Sequence, residues 1–218
     1  MKCISGLYAI TPAQTNTETL CHQVQQALAG GARSIQYRDK HGSANMRRAR
    51  LERLLSLTRA HGALLIVNDD IELAVEAGAD GVHIGATDAS PSEARARLGA
   101  YRVLGVSCYN RIELAAEALD CGADYVAFGS VFPSQTKPEA VHAPLELIAS
   151  ARAQFAQACI VAIGGVTRSN AAAVFRAGGD AVAVISDLFE AEDVCAAARQ
   201  FSALFHAGVG PAVGASDP

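Results

Sequence analysis

The stretch "AGADGVHI", residues 77–84, contains the unit from which this chain is built. An apolar helical run ends at Ala77, Gly78 supplies the left-handed backbone that stops a helix, a small residue and an Asp follow, and a buried strand begins. The same grammar, usually with the Asp, recurs in "AGGARSIQ" (29–36), "CGADYVAF" (121–128) and "AGGDAVAV" (177–184). A unit repeated four times signals repeated supersecondary structure within one architecture.

Outward from these stretches, eight apolar runs with polar or glycine-bearing ends can be counted: residues 6–11, 33–38, 64–68, 81–85, 102–107, 125–130, 160–165 and 181–186. Between them lie segments with apolar residues at three and four spacing, such as "RIELAAEALDCG" and "DVCAAARQFSALFH", which read as amphipathic helices. The four echoes stand before the second, fourth, sixth and eighth runs. Regular alternation of buried strand and amphipathic helix gives a parallel sheet covered by helices, and eight such units predict an α/β fold, a closed (β/α)8 TIM barrel. At 218 residues the chain is slightly shorter than the ~250 usual for that fold. An open doubly wound sheet is the alternative, but no G-x-G-x-x-G follows the first strand. The expected organisation is a single catalytic domain over residues 1–206, then a disordered tail, 207–218, where "AGVGPAVGASDP" loses all periodicity.

Composition narrows the partners. A formal net charge of -4 is unsuited to a nucleic-acid backbone, and no apolar run is long enough to span a bilayer. Anions bound here are therefore expected to be small and held locally. Six cysteines, with no C-x-x-C pair and no zinc spacing, read as reduced thiols packed as small hydrophobes. The start, "MKCISGLYAI", has neither a long apolar region nor a cleavage site. A cytoplasmic protein acting on small molecules is the expectation, with the oligomeric state left open, a homo-oligomer included.

In a barrel of this kind, residues directly after each strand project into one shared bowl. The stretch "LLIVNDDIE" (64–72) then delivers Asn68 and Asp69 to a ligand, where a carboxylate would otherwise be costly to desolvate. "HIGATD" (83–88) delivers Asp88 from the adjacent strand, although an acid ahead of "ASPSEARARL" could equally open a helix. Two hard oxygen ligands completed by water and a substrate phosphate suit magnesium. After the second strand, Gln36, Arg38 and Lys40 stand at alternate positions, and a continuing strand would aim all three one way, at a phosphate or diphosphate. "SQTKP" (134–138) joins Ser134 and Thr136 to Lys137, and Gly164 and Gly165 permit close backbone approach, so a second anion site is expected near the last strands. His83 reads as a packed, hydrogen-bonded histidine and Cys108 as a wall residue, since no basic neighbour is apparent to activate the thiol.

The runs "LYAIT", "QYRDK", "LIVNDD", "DGVHIGATD", "GVS", "FPSQTK", "AIGGV" and "VAVIS" resemble, in order and spacing, the thiamine-phosphate synthase family, also called thiamine-phosphate pyrophosphorylase. The resemblance extends from about residue 6 to residue 205. It implies transfer of the aminopyrimidinylmethyl group of hydroxymethylpyrimidine diphosphate to the ring nitrogen of a thiazole phosphate, giving thiamine phosphate and diphosphate. On the matching positions it implies a pyrimidine diphosphate grip of Gln36, Tyr37, Arg38, Asp39, Lys40, Asn68, Ser107 and Lys137. Arg38, Lys40, Ser107 and Lys137 form its catalytic set, and Asp69 and Asp88 match the Mg2+ ligands. The thiazole phosphate matches Ser134, Gln135, Thr136, Gly165, Ile185 and Ser186. In such a family the C–O bond breaks first, so the main task is to neutralise charge growing on the departing diphosphate.

Three positions depart from the family pattern: Ala86 where Gln is frequent, Tyr109 where His is common, and Ser134 in place of Thr. Two rival readings share the fold, a thiazole tautomerase working by proton transfer and a non-catalytic thiazole-phosphate-binding regulator. "SCYN" (107–110) lacks the histidine a tautomerase of this group uses, and retention of both acids speaks against a silent regulator. By analogy with the loss of one preorganised oxyanion donor, Lys137→Ala should lower turnover ~10²–10³-fold. Steady-state diphosphate release measures this, and near-parental turnover would remove Lys137 from the leaving-group role.

Overall fold

In the computed structural model, residues 4–13, 16–86, 88–133 and 141–208 are described. Eight strands appear where the apolar runs predict them: β1 (Gly6–Ile10), β2 (Ser34–Tyr37), β3 (Leu64–Asn68), β4 (Gly81–Ile84), β5 (Val103–Tyr109), β6 (Tyr125–Gly129), β7 (Cys159–Ile163) and β8 (Ala181–Val184). The helices among the described residues are α1 (Thr17–Ala29), α2 (Ala44–Ala60), α3 (Ile71–Ala77), α4 (Pro91–Leu98), α5 (Ile112–Asp120), α6 (Leu145–Gln154), α7 (Ala171–Arg176), α8 (Ser186–Phe189) and α9 (Val194–Gly208). Every neighbouring pair of strands is parallel, and β8 returns to β1, with Gly6 opposite Ala181 and Ala9 opposite Val184. The sheet is a closed barrel of the (β/α)8 type, without an edge. Helix α9 passes the expected domain end at residue 206, and the remainder of the expected tail, 209–218, lies outside the described residues.

Strand pleat divides the core in two. Tyr8, Ile10, Ile66, Tyr125 and Val161 point into the barrel, while Leu7, Ala9, Leu65, Val67 and Phe128 on the same strands meet the helices. Such two-sided burial is why these strands read as continuous apolar runs. Of the five described cysteines, Cys21, Cys108 and Cys159 are buried. No helix among the described residues is long and apolar enough to cross a membrane.

The repeated Gly-x-Asp grammar has a structural cause beyond stopping helices. Asp80, Asp124 and Asp180 each precede an even strand, and each accepts a hydrogen bond from the N–H near the start of the preceding odd strand. Asp80 Oδ2 takes Leu65 N–H at 2.8 Å, Asp124 Oδ2 takes Leu104 N–H at 2.9 Å, and Asp180 Oδ2 takes Ile160 N–H at 2.7 Å. An arginine from the even-numbered helix that precedes each odd strand completes each clamp: Arg59, Arg95 and Arg152 donate to the carbonyls of Gly78, Gly122 and Gly178. Arg95 and Arg152 also pair with Asp124 and Asp180. The first echo lacks the Asp, and there Ser202 Oγ of α9 donates to Gly30 O at 3.2 Å. These clamps gather the floor of the barrel, opposite the mouth.

The barrel interior is not purely aliphatic. Gln36 Nε2 donates to the Tyr8 hydroxyl at 2.8 Å, Tyr8 and Tyr125 join their hydroxyls at 2.9 Å, and Tyr125 meets His83 Nδ1 at 2.9 Å. His83 Nε2 then meets Ser107 Oγ at 2.8 Å. The Tyr125 ring fits because β5 carries Gly105 beside it: a Cβ there would lie 1.9 Å from a ring carbon. His83 stacks on Tyr125 with centroids 5.6 Å apart, and burial holds its pKa down at about 4 against the ordinary 6.5.

Asp124→Ala strands the Leu104 N–H and leaves Arg95 without its carboxylate, and should lower stability by about 1–3 kcal/mol. Urea unfolding measures this, and kcat at the far mouth should be unchanged. His83 generates a pH prediction as well. Between its folded and unfolded values the unfolded chain takes up a proton that the folded chain refuses, so stability is complete above pH 6.5 and declines as pH falls toward about 4. A depression of that size corresponds to about 3 kcal/mol. Urea unfolding between pH 7 and 4.5 should show the parent losing more stability than His83→Gln, and parallel losses would contradict it.

Candidate active site

The two adjacent acids after β3 have separate tasks. Asp70 caps α3, its side chain accepting from Leu73 N–H at 2.9 Å, and it is ion-paired with Arg47. Asp69, one residue earlier, takes a left-handed backbone with φ 65°, its N–H donating to the His83 carbonyl at 2.8 Å. That turn aims its carboxylate across the mouth at Asp88. Asp88 is held from the other side, Oδ2 accepting Gly85 N–H at 2.7 Å. The helix-opening role that Asp88 could have taken belongs to Ser90, which caps α4 in a reciprocal capping box with Glu93.

Electrostatically, Asp69 and Asp88 form a strained pair. Burial raises the Asp69 pKa, and the negative charge of Asp88 and a hydrogen bond with it raise it further; Lys40, 3.8 Å away, and an Asn68 hydrogen bond pull the other way. Carboxylates this close cannot both ionise cheaply without a cation between them. Their oxygen donors fit a hard divalent ion. Among the described residues no group of three or more His, Cys, Asp or Glu is placed to hold a metal. A two-carboxylate set completed by water and phosphate oxygens is how magnesium is ordinarily bound.

Some of the expected pyrimidine diphosphate residues stand at the same mouth. Gln36, Asn68 and Ser107 share the inward parity of Ser34, Ile66 and Val103 on their strands. The pleat that was to carry Arg38 and Lys40 inward stops at Tyr37, however, because β2 ends there. Arg38 is held by its backbone, N–H to Thr11 Oγ1 at 2.9 Å, and Lys40 reaches Asp69 from a loop. Tyr37 and Asp39 are engaged toward the helices. Tyr37 is buried in the outer core, and Asp39 Oδ2 takes the Tyr37 hydroxyl at 3.1 Å and Arg50 at 2.8 Å, while Oδ1 takes the N–H groups of His41 and Gly42. Burial opposes ionisation of Asp39, but these donors prevail and hold its pKa below the usual carboxylate value. Its place is thus that of a loop anchor behind the cations.

Across the mouth, Gly164 (φ 94°) and Gly165 (φ 62°) follow β7. A Cβ on Gly165 would lie 2.4 Å from the Pro133 carbonyl oxygen, and one on Gly164 2.1 Å from Ser130 Oγ, so only glycines let the β6 loop seat here. Phe132 N–H donates to the Gly164 carbonyl at 3.1 Å, and Asn170 Nδ2 to the Gly165 carbonyl at 2.9 Å. Ile185 and Ser186 stand beyond β8, where the chain enters α8. Ser134, Gln135, Thr136 and Lys137 lie outside the described residues.

His83 is packed and bonded at both nitrogens, as its position inside a strand predicts. Cys108 is fully buried, and burial pushes its thiol up to about 12, far from a nucleophile. Two departures from the family pattern prove to be one contact: the Tyr109 hydroxyl accepts from Ala86 N–H at 3.2 Å, bridging the β4 and β5 loops. Tyr8 and Tyr125 are functional candidates that the strand-end reading passed over. Their signal was a hydroxyl at an inward position of an otherwise apolar run.

Comparison with known proteins agrees with this geometry. The family described as "Thiamine monophosphate synthase" matches residues 7–188. "Thiamine-phosphate synthase" of Chromobacterium violaceum is 55% identical over 204 residues, covering 94% of this chain and 98% of that protein. The protein of the same name from Thiobacillus denitrificans is 50% identical over 202 residues, covering 93% and 95%. Among solved structures, thiamine phosphate pyrophosphorylase from Pyrococcus furiosus superposes with a TM-score of 0.84 at 34% identity, covering 94% of this chain and 97% of that one. With one barrel, one mouth and near-complete coverage in each case, the chain belongs to the thiamine monophosphate synthase family.

Proposed function

We propose that this chain is a cytoplasmic, magnesium-dependent thiamine-phosphate synthase. It transfers the 4-amino-2-methylpyrimidin-5-ylmethyl group from its diphosphate to a thiazole phosphate and releases diphosphate. Its partners are these two small phosphorylated heterocycles, with neither nucleic acid nor membrane involved. The observation that carries the reading is the convergence of Asp69 and Asp88, with Lys40 3.8 Å from Asp69, at the mouth of a barrel half identical to named synthases.

Asp69 and Asp88 would hold the magnesium ion, which when bound supplies positive charge to the diphosphate leaving group. The residues of the chain carry the rest. Arg38, Lys40 and Lys137 present cations where charge builds as the C–O bond breaks, an electrostatic role that needs no proton transfer. Gln36, Asn68 and Ser107 orient the pyrimidine and its diphosphate. Ser134, Gln135, Thr136, Gly165, Ile185 and Ser186 place the thiazole phosphate so that its ring nitrogen faces the carbon being released. That nitrogen already holds a lone pair, so no general base is required. Holding both partners in contact converts a bimolecular encounter into a local one.

With both substrates present, diphosphate release should occur with magnesium and stop with EDTA. Asp69→Asn should raise the magnesium concentration needed for half-maximal release. A tautomerase or a sensor makes no diphosphate under any condition, and that outcome in the parent chain would overturn the proposal.

A further inference from the structure

The buried hydrogen-bonded line Gln36, Tyr8, Tyr125, His83, Ser107 crosses the barrel through five strands: β2, β1, β6, β4 and β5. Gln36 and Ser107, its two ends, reach the mouth; the three residues between them are buried and have no part in the proposed chemistry. Aliphatic side chains would fill the same space without desolvating two phenols and an imidazole, so the polar line has a cost that packing alone does not require. The space for it is cut on purpose: Gly105 faces Tyr125 so closely that any Cβ would strike the ring and its hydroxyl, at 1.9–2.3 Å.

The direction of the line follows from counting protons. Gln36 Nε2 donates to the Tyr8 oxygen. Among the described residues the Tyr8 proton then has one acceptor, the Tyr125 oxygen, and the Tyr125 proton has one, His83 Nδ1. Burial raises the pKa of both phenols, so each keeps its proton. An imidazole that accepts at Nδ1 and is neutral carries its proton on Nε2, and Nε2 faces Ser107 Oγ at 2.8 Å. Ser107 Oγ therefore accepts from His83, and its own proton is left to point outward.

We infer that Tyr8, Tyr125 and His83 are positioning residues that fix Ser107 as a hydrogen-bond donor toward an acceptor atom of the pyrimidine-bearing substrate. Without the line, the Ser107 hydroxyl would be free to turn its proton inward to a bare imidazole nitrogen and offer the substrate only lone pairs. The line also ties Gln36 to Ser107, so both ends of the pyrimidine grip are set by one buried chain. This inference rests on the proposed function for the identity of the substrate but not for the direction of the protons.

The test is a double-mutant cycle on the full-length protein, read as kcat/KM for pyrimidine diphosphate at saturating thiazole phosphate and magnesium. Tyr125→Phe deletes the hydroxyl that feeds His83 Nδ1 and should lower kcat/KM roughly tenfold, the scale of one hydrogen bond, with KM for thiazole phosphate unchanged. In a Ser107→Ala background the same substitution should change neither parameter, because the residue through which it acts is gone. Equal losses in both backgrounds would mean that Tyr125 works only through packing and would overturn the inference. A second readout needs neither turnover nor a variant: 15N spectra of the histidine-labelled parent should show His83 as the neutral Nε2–H tautomer, and an Nδ1–H signal would reverse the line. Absence of diphosphate release in the parent would sink the proposed function alone, while the tautomer would still report on the line.

Discussion

The pairing of β8 with β1 is the constraint on which the rest of the molecule depends. Once the sheet closes, every strand has two neighbours, every inward position faces a finite interior, and all strand ends of one polarity open to one mouth. Residues far apart in the chain then meet without any local instruction to do so. Asp69 and Asp88 come from successive strand ends; Gln36 and Ser107 come from opposite walls. The clamps at the floor, Asp80, Asp124 and Asp180 with their arginines, hold the strand starts in register.

At that mouth the fold sustains charge that it does not neutralise by itself. Asp69 has a left-handed backbone, a partly desolvated carboxylate and an acidic neighbour, and one lysine at 3.8 Å only partly offsets these costs. Local conflict of this kind, beside scaffold acids such as Asp70 and Asp39 that are capped or paired, marks a place arranged for something to bind. Asp70 and Asp39 provide the contrast. Each is as close to the mouth in sequence, yet each is surrounded by donors and belongs to the scaffold.

The interior line of Tyr8, Tyr125 and His83 shows a second way in which the barrel serves its site. In most barrels of this type, layers of branched aliphatic side chains fill the centre. Here the same layers carry hydroxyls and an imidazole, satisfied from end to end, and they transmit a hydrogen-bond direction from one wall to the other. Such a chain rigidifies what it touches because each member is fixed by both neighbours.

The sequence by itself determined the eight strands, their alternation with helices, the mouth acids and the family. These are properties of local periodicity, of glycine at helix ends and of strings of adjacent residues, which need no knowledge of what lies across the barrel. Only the tertiary structure decided that Asp70 caps α3, why the repeat carries an Asp, that Lys40 arrives by a loop and not a pleat, and that Tyr37 and Asp39 turn outward. It alone joined Ala86 to Tyr109 and Gln36 to Ser107. Each of these is a contact between strands or loops remote in sequence, or a choice of backbone angle at a strand end, and neither leaves a periodic trace: the partner that settles a side chain's direction is supplied only when the sheet closes.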